Sequence, residues 1–147
     1  MTHLNPLLYL LVIGAGVSVA LQQVLNANLR FTLDSPWWAG FVSYFVGTVM
    51  MLIAGLATGA PQLGRISQAP VLTWLGGVFG AIFIGIATLM VPRLGAATVL
   101  ALIVVGQMLG SLAFDHFGLM GLPQQPVTLA RLLGVGLLIA GVMLVRR

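Results

Sequence analysis

An all-α integral membrane protein with five transmembrane helices is the fold class that three observations predict. Charged residues make up 5% of the 147-residue chain, against roughly 25% in globular proteins. Lys and Glu are absent altogether. Five apolar stretches each approach the roughly 20 residues that a helix needs to cross hydrocarbon. A soluble domain of this size exposes much of its surface, and so few charges could not cover it. Lipid is the solvent that tolerates such an exterior, and the chain is short enough for a single transmembrane domain, residues 1–147.

The spans follow in order. The first is expected over 6–28, with Asn5 as its cap and Pro6 at the first helical position, where a missing N–H costs nothing. It is long and carries Gln22, Gln23 and Asn26 where a signal peptide would place small residues, so it reads as a retained helix. The second, 36–57, repeats the start signal with Ser35 and Pro36. The third, 70–91, is expected to stop near Pro92. The fourth covers 94–115, and the link 92–95 is so short that helices three and four run antiparallel. The fifth covers 128–145, with Thr128 as cap. The link 58–69 is polar and contains Gly59, Pro61, Gly64 and Ser67, as an ordinary surface loop does; 117–127 is stiff and partly apolar. Trp37, Trp38 and Trp74 near helix starts suit interfacial anchoring.

Charge excludes several functions. Six arginines face two aspartates, Asp34 and Asp115, but they form no cluster, so the high isoelectric point is no nucleic-acid signature. No Cys and two distant His leave no metal-ligand set, and no cofactor is expected. Ser111, Asp115 and His116 do not make a catalytic triad, because Ser111 and His116 lie five apart on one helix and point in different directions. Arg30, Arg93, Arg146 and Arg147 share one side of the membrane, whereas Arg65 and Arg131 share the other. The richer side is expected to be cytoplasmic, with the N-terminus outside, but four against two is a weak bias that permits insertion both ways.

Polar side chains within spans must be paired or face a wet cavity. Gln22 and Asn26 are four apart on one face of helix one, with Gln23 directed elsewhere. Gln107, Ser111 and Asp115 form a stripe at i, i+4 and i+8 on helix four. Interhelical hydrogen bonding would account for each amide at about 1 kcal/mol, but three polar groups in line suggest a path. The candidate solute-binding residues are therefore Gln22, Asn26, Gln107 and Ser111. Asp115, the carboxylate on that stripe, is the candidate for ion coupling, with His116 beside it; for His116 alone an interfacial role is the simpler reading. Ser43, Tyr44, Gly47 and Thr48 read as packing. Gly76 with Gly80, and Gly106 with Gly110, have the spacing for close helix approach.

GQMLGSLAFDHFGLMGLP (Gly106–Pro123), QQVLNANL (Gln22–Leu29), WLGGVFGA (Trp74–Ala81) and VPRLGAAT (Val91–Thr98) resemble the motifs of the YdcZ-like five-helix family of the drug/metabolite transporter (DMT) superfamily. The resemblance covers nearly the whole chain. It implies a bacterial inner-membrane protein, a small-molecule solute and export. It also implies one half of a DMT-type inverted-repeat transporter, so that two copies form a homodimer and antiparallel insertion supplies the inverted halves. Gln22, Asn26, Gln107, Ser111 and Asp115 match the family's polar motif residues. The related small multidrug resistance proteins use a glutamate in helix one. This chain offers only amides there, which suits a neutral or polar solute better than a bare cation. The alternative expectation is a non-transporting subunit that scaffolds a partner, with its polar stripe consumed in helix contacts.

Overall fold

The computed structural model describes residues 6–59, 64 and 68–145. Asn5, Arg65, Arg146, Arg147 and most of the 58–69 link lie outside the described residues. The chain is all-helical among the described residues: α1 Pro6–Leu33, α2 Pro36–Thr58, α3 Gly76–Leu94 preceded by a 3-10 turn Val71–Leu75, α4 Ala96–Phe117 and α5 Leu129–Val145, with a 3-10 turn Leu119–Gly121 between the last two. Four of these segments are long and apolar enough to cross a membrane. The fifth, α5, has 17 residues, at the lower end of the spanning range.

The chain divides into two compact units, 1–93 and 94–147. In the first, α1 and α2 form a hairpin with a two-residue link. Asp34 adopts a left-handed conformation (φ 49°), which Asp tolerates better than bulkier residues. The Ser35 N–H then reaches the Arg30 carbonyl at 3.2 Å. Ser35 also caps α2, its side chain accepting from the Trp38 N–H at 3.3 Å. Helix one therefore runs five residues past the expected end at Asn28. Nothing in Leu29–Leu33 breaks a helix, and Asn28 alone is too weak a stop. At 28 residues, α1 is about 42 Å long, longer than the roughly 30 Å hydrocarbon core.

Pro92 does not stop α3; it lies inside the last turn, and the helix continues to Leu94. A proline there removes one helical N–H and crowds the carbonyl four residues earlier, and the helix runs only two residues beyond it. Gly95, at φ 82°, makes the turn instead.

The interior is small and the exterior large. Buried positions of the first unit include Ala27, Ala39, Gly40, Gly85 and Ala87. Leu10, Val12, Phe31, Met51 and Phe79 are exposed. That is the distribution expected where lipid is the solvent and helices associate by close approach of small residues. The close approaches fall at Gly40, Gly80 and Gly85. A Cβ on Gly85 would lie 2.7 Å from the Trp37 ring, one on Gly80 2.7 Å from the Tyr44 hydroxyl, and one on Gly40 3.3 Å from Ile84. Trp37, read as an interfacial anchor, thus also covers α3. A Cβ at Gly76, Gly106 or Gly110 would meet nothing within 4 Å, so those three glycines are open within the chain.

In the second unit α4 and α5 pair. Gly118, left-handed at φ 59°, closes α4 and donates to the carbonyls of Asp115 and Phe114. Glycine suits that conformation, and a Cβ would sit tight, 3.3 Å from Gln124 Cβ and from the Leu122 carbonyl.

Candidate functional site

The first unit carries a group of buried polar side chains along one face of α1. Gln23, Asn26 and Ala27 are buried, and Arg30 continues the i, i+3, i+4, i+7 series. Gln23 is 0% exposed, and neither its amide nitrogen nor its oxygen has a hydrogen-bond partner among the described residues. The Asn26 amide nitrogen, at 4% residue exposure, is likewise unpaired. Thr88 of α3 is 0% exposed with an unpaired hydroxyl. A helical Thr ordinarily has the i−4 carbonyl available to it, so an unpaired Thr88 is a second anomaly on the opposing helix.

Arg30 links the two helices. Its Nη1 donates to the carbonyls of Thr88 at 3.3 Å and Leu89 at 3.2 Å. Pro92 has no N–H, so the Thr88 carbonyl four residues earlier lacks its helical donor; the guanidinium supplies one from another helix. Arg30 has no carboxylate partner among the described residues, whose one ion pair is elsewhere. Its guanidinium stands 5.9 Å from the Phe31 ring centroid, within reach of a cation–π contact.

Burying an amide without a hydrogen bond costs about 1–3 kcal/mol by mutational measure. Two amides on α1 and a hydroxyl on α3, all buried and without partners among the described residues, are therefore a feature that folding alone disfavours. Gln22, the neighbour predicted to share the Asn26 face, is half-buried, and its Nε2 donates to Ser43 Oγ of α2 at a long 3.4 Å. Gln23, which the sequence reading directed elsewhere, is the more buried. The signal that could have found it is the Gln23–Asn26–Ala27–Arg30 spacing, a helical face in its own right.

The polar stripe of α4 divides. Gln107 and Ser111 are exposed and Asp115 is half-buried. Ser111 and Asp115 line a cavity of about 330 Å³ with Arg131, Met108, Leu112 and Val135. Asp115 Oδ2 pairs with Arg131 Nη1 at 3.3 Å, both side chains about a third exposed (36% and 35%). Arg131 Nη2 also donates to Gln125 Oε1. The Gln125 N–H donates to the Asp115 carbonyl at 2.8 Å. His116 accepts from the Val127 N–H at Nδ1 (3.3 Å) and, through its carbonyl, from Gln124 Nε2 (2.9 Å). Asp115 and His116 together thus fasten the 118–128 link to the end of α4, and Nδ1 of His116 is occupied. Gln22 and Asn26 belong to one unit, Gln107 and Ser111 to the other.

A cavity of about 460 Å³ lies between α2 and α3 and is lined by Trp37, Phe41, Val78, Ile82 and Gly85 among others. The Trp37 indole and the Tyr44 hydroxyl are the side-chain hydrogen-bonding groups in its otherwise apolar lining. No group of His, Cys, Asp or Glu that could hold a metal occurs among the described residues.

Residues 7–144 match a family model described as "Putative inner membrane exporter, YdcZ". The chain belongs to the YdcZ family. The Inner membrane protein YdcZ of Escherichia coli (strain K12) is 28% identical over 137 residues, covering 92% of this chain and 91% of that one. No solved structure matches the chain. Family membership and the apolar helices make this a multi-pass inner-membrane protein of an exporter family. Membership in an exporter family suggests transport rather than catalysis.

Proposed function

We propose that the protein exports a small polar solute by alternating access as a homodimer, each chain supplying one half of the pathway. The observation that carries this reading is the set of buried polar groups without partners, Gln23, Asn26 and Thr88, inside a chain of the YdcZ exporter family. A scaffold would use such groups in permanent helix contacts. A carrier needs them free in one state and bound to solute in another. Gln22 adjoins this group on α1, and Gln107 and Ser111 of the second unit are exposed, as suits residues that a second copy or a solute covers. Asp115, with His116 next to it, is the residue through which an ion would couple to transport.

A thermal-shift screen of the purified protein against polar metabolites tests the reading, because a ligand that binds only the native state raises its stability. A solute that stabilises the wild type should lose its effect in Asn26→Leu and in Gln107→Leu. A screen without hits, or one whose hits survive both substitutions, removes the proposed site.

A further inference from the structure

The ion pair of the second unit stands at the polar end of an apolar groove. With 22 residues, α4 is about 33 Å long, close to the roughly 30 Å of the hydrocarbon core. Asp115, in its last turn, therefore lies where hydrocarbon meets headgroups. Arg131, near the start of α5, faces it at 3.3 Å. Both line the cavity of about 330 Å³, whose other walls are mostly apolar, with Leu112 and Val135 among them. A second cavity, of about 410 Å³, shares Gly134 and Leu138 with the first and is lined throughout by apolar residues. On α4 the two linings recur at Ala101, Val104, Met108, Ser111 and Asp115, and on α5 at Arg131, Gly134, Leu138, Gly141 and Val145. Spacings of three and four put each set on one helix face, so the two cavities form one groove along the α4–α5 seam. From Arg131 to Val145 it runs about 21 Å along the helix, longer than the roughly 15 Å that the acyl chains of one leaflet span.

The polar end is net neutral, and its hydrogen bonding is incomplete. Asp115 Oδ2 accepts from Arg131, whereas Oδ1 takes no donor among the described residues. Of the five guanidinium N–H donors, Arg131 gives one to Asp115 and one to Gln125. Both side chains are about a third exposed, so the remaining groups stay within reach of a ligand. The carboxylate can accept from an ammonium, and the guanidinium suits a phosphate. A ligand of one charge sign would meet a like charge on one member of the pair.

We propose that this groove seats one phospholipid whose headgroup carries both a phosphate and a primary ammonium. The phosphate lies on Arg131, the ammonium on Asp115, and one acyl chain follows the seam towards Val145. The apolar walls accept any acyl chain; the ion pair selects the headgroup. An anionic headgroup brings an uncompensated negative charge to Asp115, and a quaternary ammonium has no N–H to donate. The inference goes beyond the transport reading and does not rest on it, since it needs only a chain that lies in the bilayer.

The test is native mass spectrometry of the full chain, stripped of lipid in detergent and offered equal amounts of three phospholipids with identical acyl chains. Their headgroups are ethanolamine, glycerol and choline. The ethanolamine lipid should be retained at one per chain, with about tenfold preference over each of the others, the equivalent of one hydrogen bond to a charged group. Asp115→Asn should remove the preference, and Arg131→Gln should lower retention of all three. Gly134 lines both cavities, and a Cβ there meets nothing within 4 Å. Gly134→Val should therefore fold with unchanged thermal stability yet lower retention of every lipid, which keeps the test open should a charge variant fail to fold. Equal retention of the three lipids by the wild type, or a preference that survives Asp115→Asn, overturns the headgroup assignment. Retention that Gly134→Val leaves unchanged overturns the groove as the binding site. Each of these results leaves the transport reading standing.

Discussion

Arg30 donates to the carbonyl of Thr88, the one backbone acceptor in α3 that Pro92 leaves without a helical N–H. The contact gives the charge in the last turn of α1 two carbonyl partners and supplies a donor to the carbonyl that Pro92 frees.

The relationship predicts a thermodynamic coupling. Arg30→Gln should destabilise the fold by about 1–3 kcal/mol, the range for leaving a buried acceptor unpaired. Pro92→Ala restores an N–H to the Thr88 carbonyl, so the Arg30→Gln penalty should shrink in that background by about 1 kcal/mol, within the range for groups in contact. Reversible unfolding of the four proteins in bicelles reads the cycle. Additive effects would show that Arg30 is not replacing the lost donor.

Gln23 should behave as a residue kept for function at a cost in stability. Its amide is fully buried and unpaired. Gln23→Leu conserves much of the volume and removes a desolvated polar group, so it should leave stability unchanged or raise it by about 1 kcal/mol. Solute binding should be lost. A large destabilisation would mean instead that the amide is paired in the native membrane state.

The glycines divide by what faces them. Gly85→Val must push the Trp37 ring away, and overpacking of that kind costs about 1–3 kcal/mol. Gly106→Val meets nothing within its own chain and should leave the monomer's stability within about 0.5 kcal/mol. If α4 packs against a second copy, the same change should lower the dimer yield in chemical cross-linking. Equal destabilisation of the monomer by both variants would contradict the packing.

The all-helical class and the number and order of the helices were legible because they depend on local signals, apolar length and Ser-Pro starts. The ends of α1 and α3 were not, because Asn28 alone does not end a helix and a proline in the last turn does not either; the Arg30–Thr88 contact, between residues 58 apart, was invisible as well. Of the candidate site, Asn26 was legible as an intramembrane amide. Gln23 was missed because adjacent glutamines each belong to a plausible helical face, and only packing decides which is interior. Asp115 was legible as an unusual carboxylate, but its partner Arg131, on the next helix, was not.

Asp115 allows stability and coupling to be separated. Its partly exposed pair with Arg131 contributes about 0–1 kcal/mol, so Asp115→Asn should fold with little loss. If the carboxylate couples ion movement to export, the variant's transport in proteoliposomes should become independent of pH across the range in which the wild type varies. A mutant profile that overlays the wild type would remove Asp115 from the coupling step and leave it as a clasp for the 118–128 link.

The expected orientation rests on few charges. Arg30, Arg93, Arg146 and Arg147 stand against Arg65 and Arg131, and each arginine near a span end biases insertion, so moving one or two can reverse such a chain. Alternating access commonly uses two halves of opposite topology, and five spans cannot contain two equal halves. Copies inserted in opposite directions would supply them, related by a two-fold axis in the membrane plane. Their contact would need small residues, since helices already bathed in lipid gain little from hydrophobic burial and associate by close packing. Gly76, Gly106 and Gly110 are open for that purpose. The chain has no Cys, so one cysteine added after Arg147 reports orientation without background. Labelling intact cells with a membrane-impermeant maleimide should modify about half of the molecules if the dimer is antiparallel. Complete protection would place every C-terminus inside, and complete labelling would place every one outside; either result replaces the antiparallel dimer with copies in a single orientation.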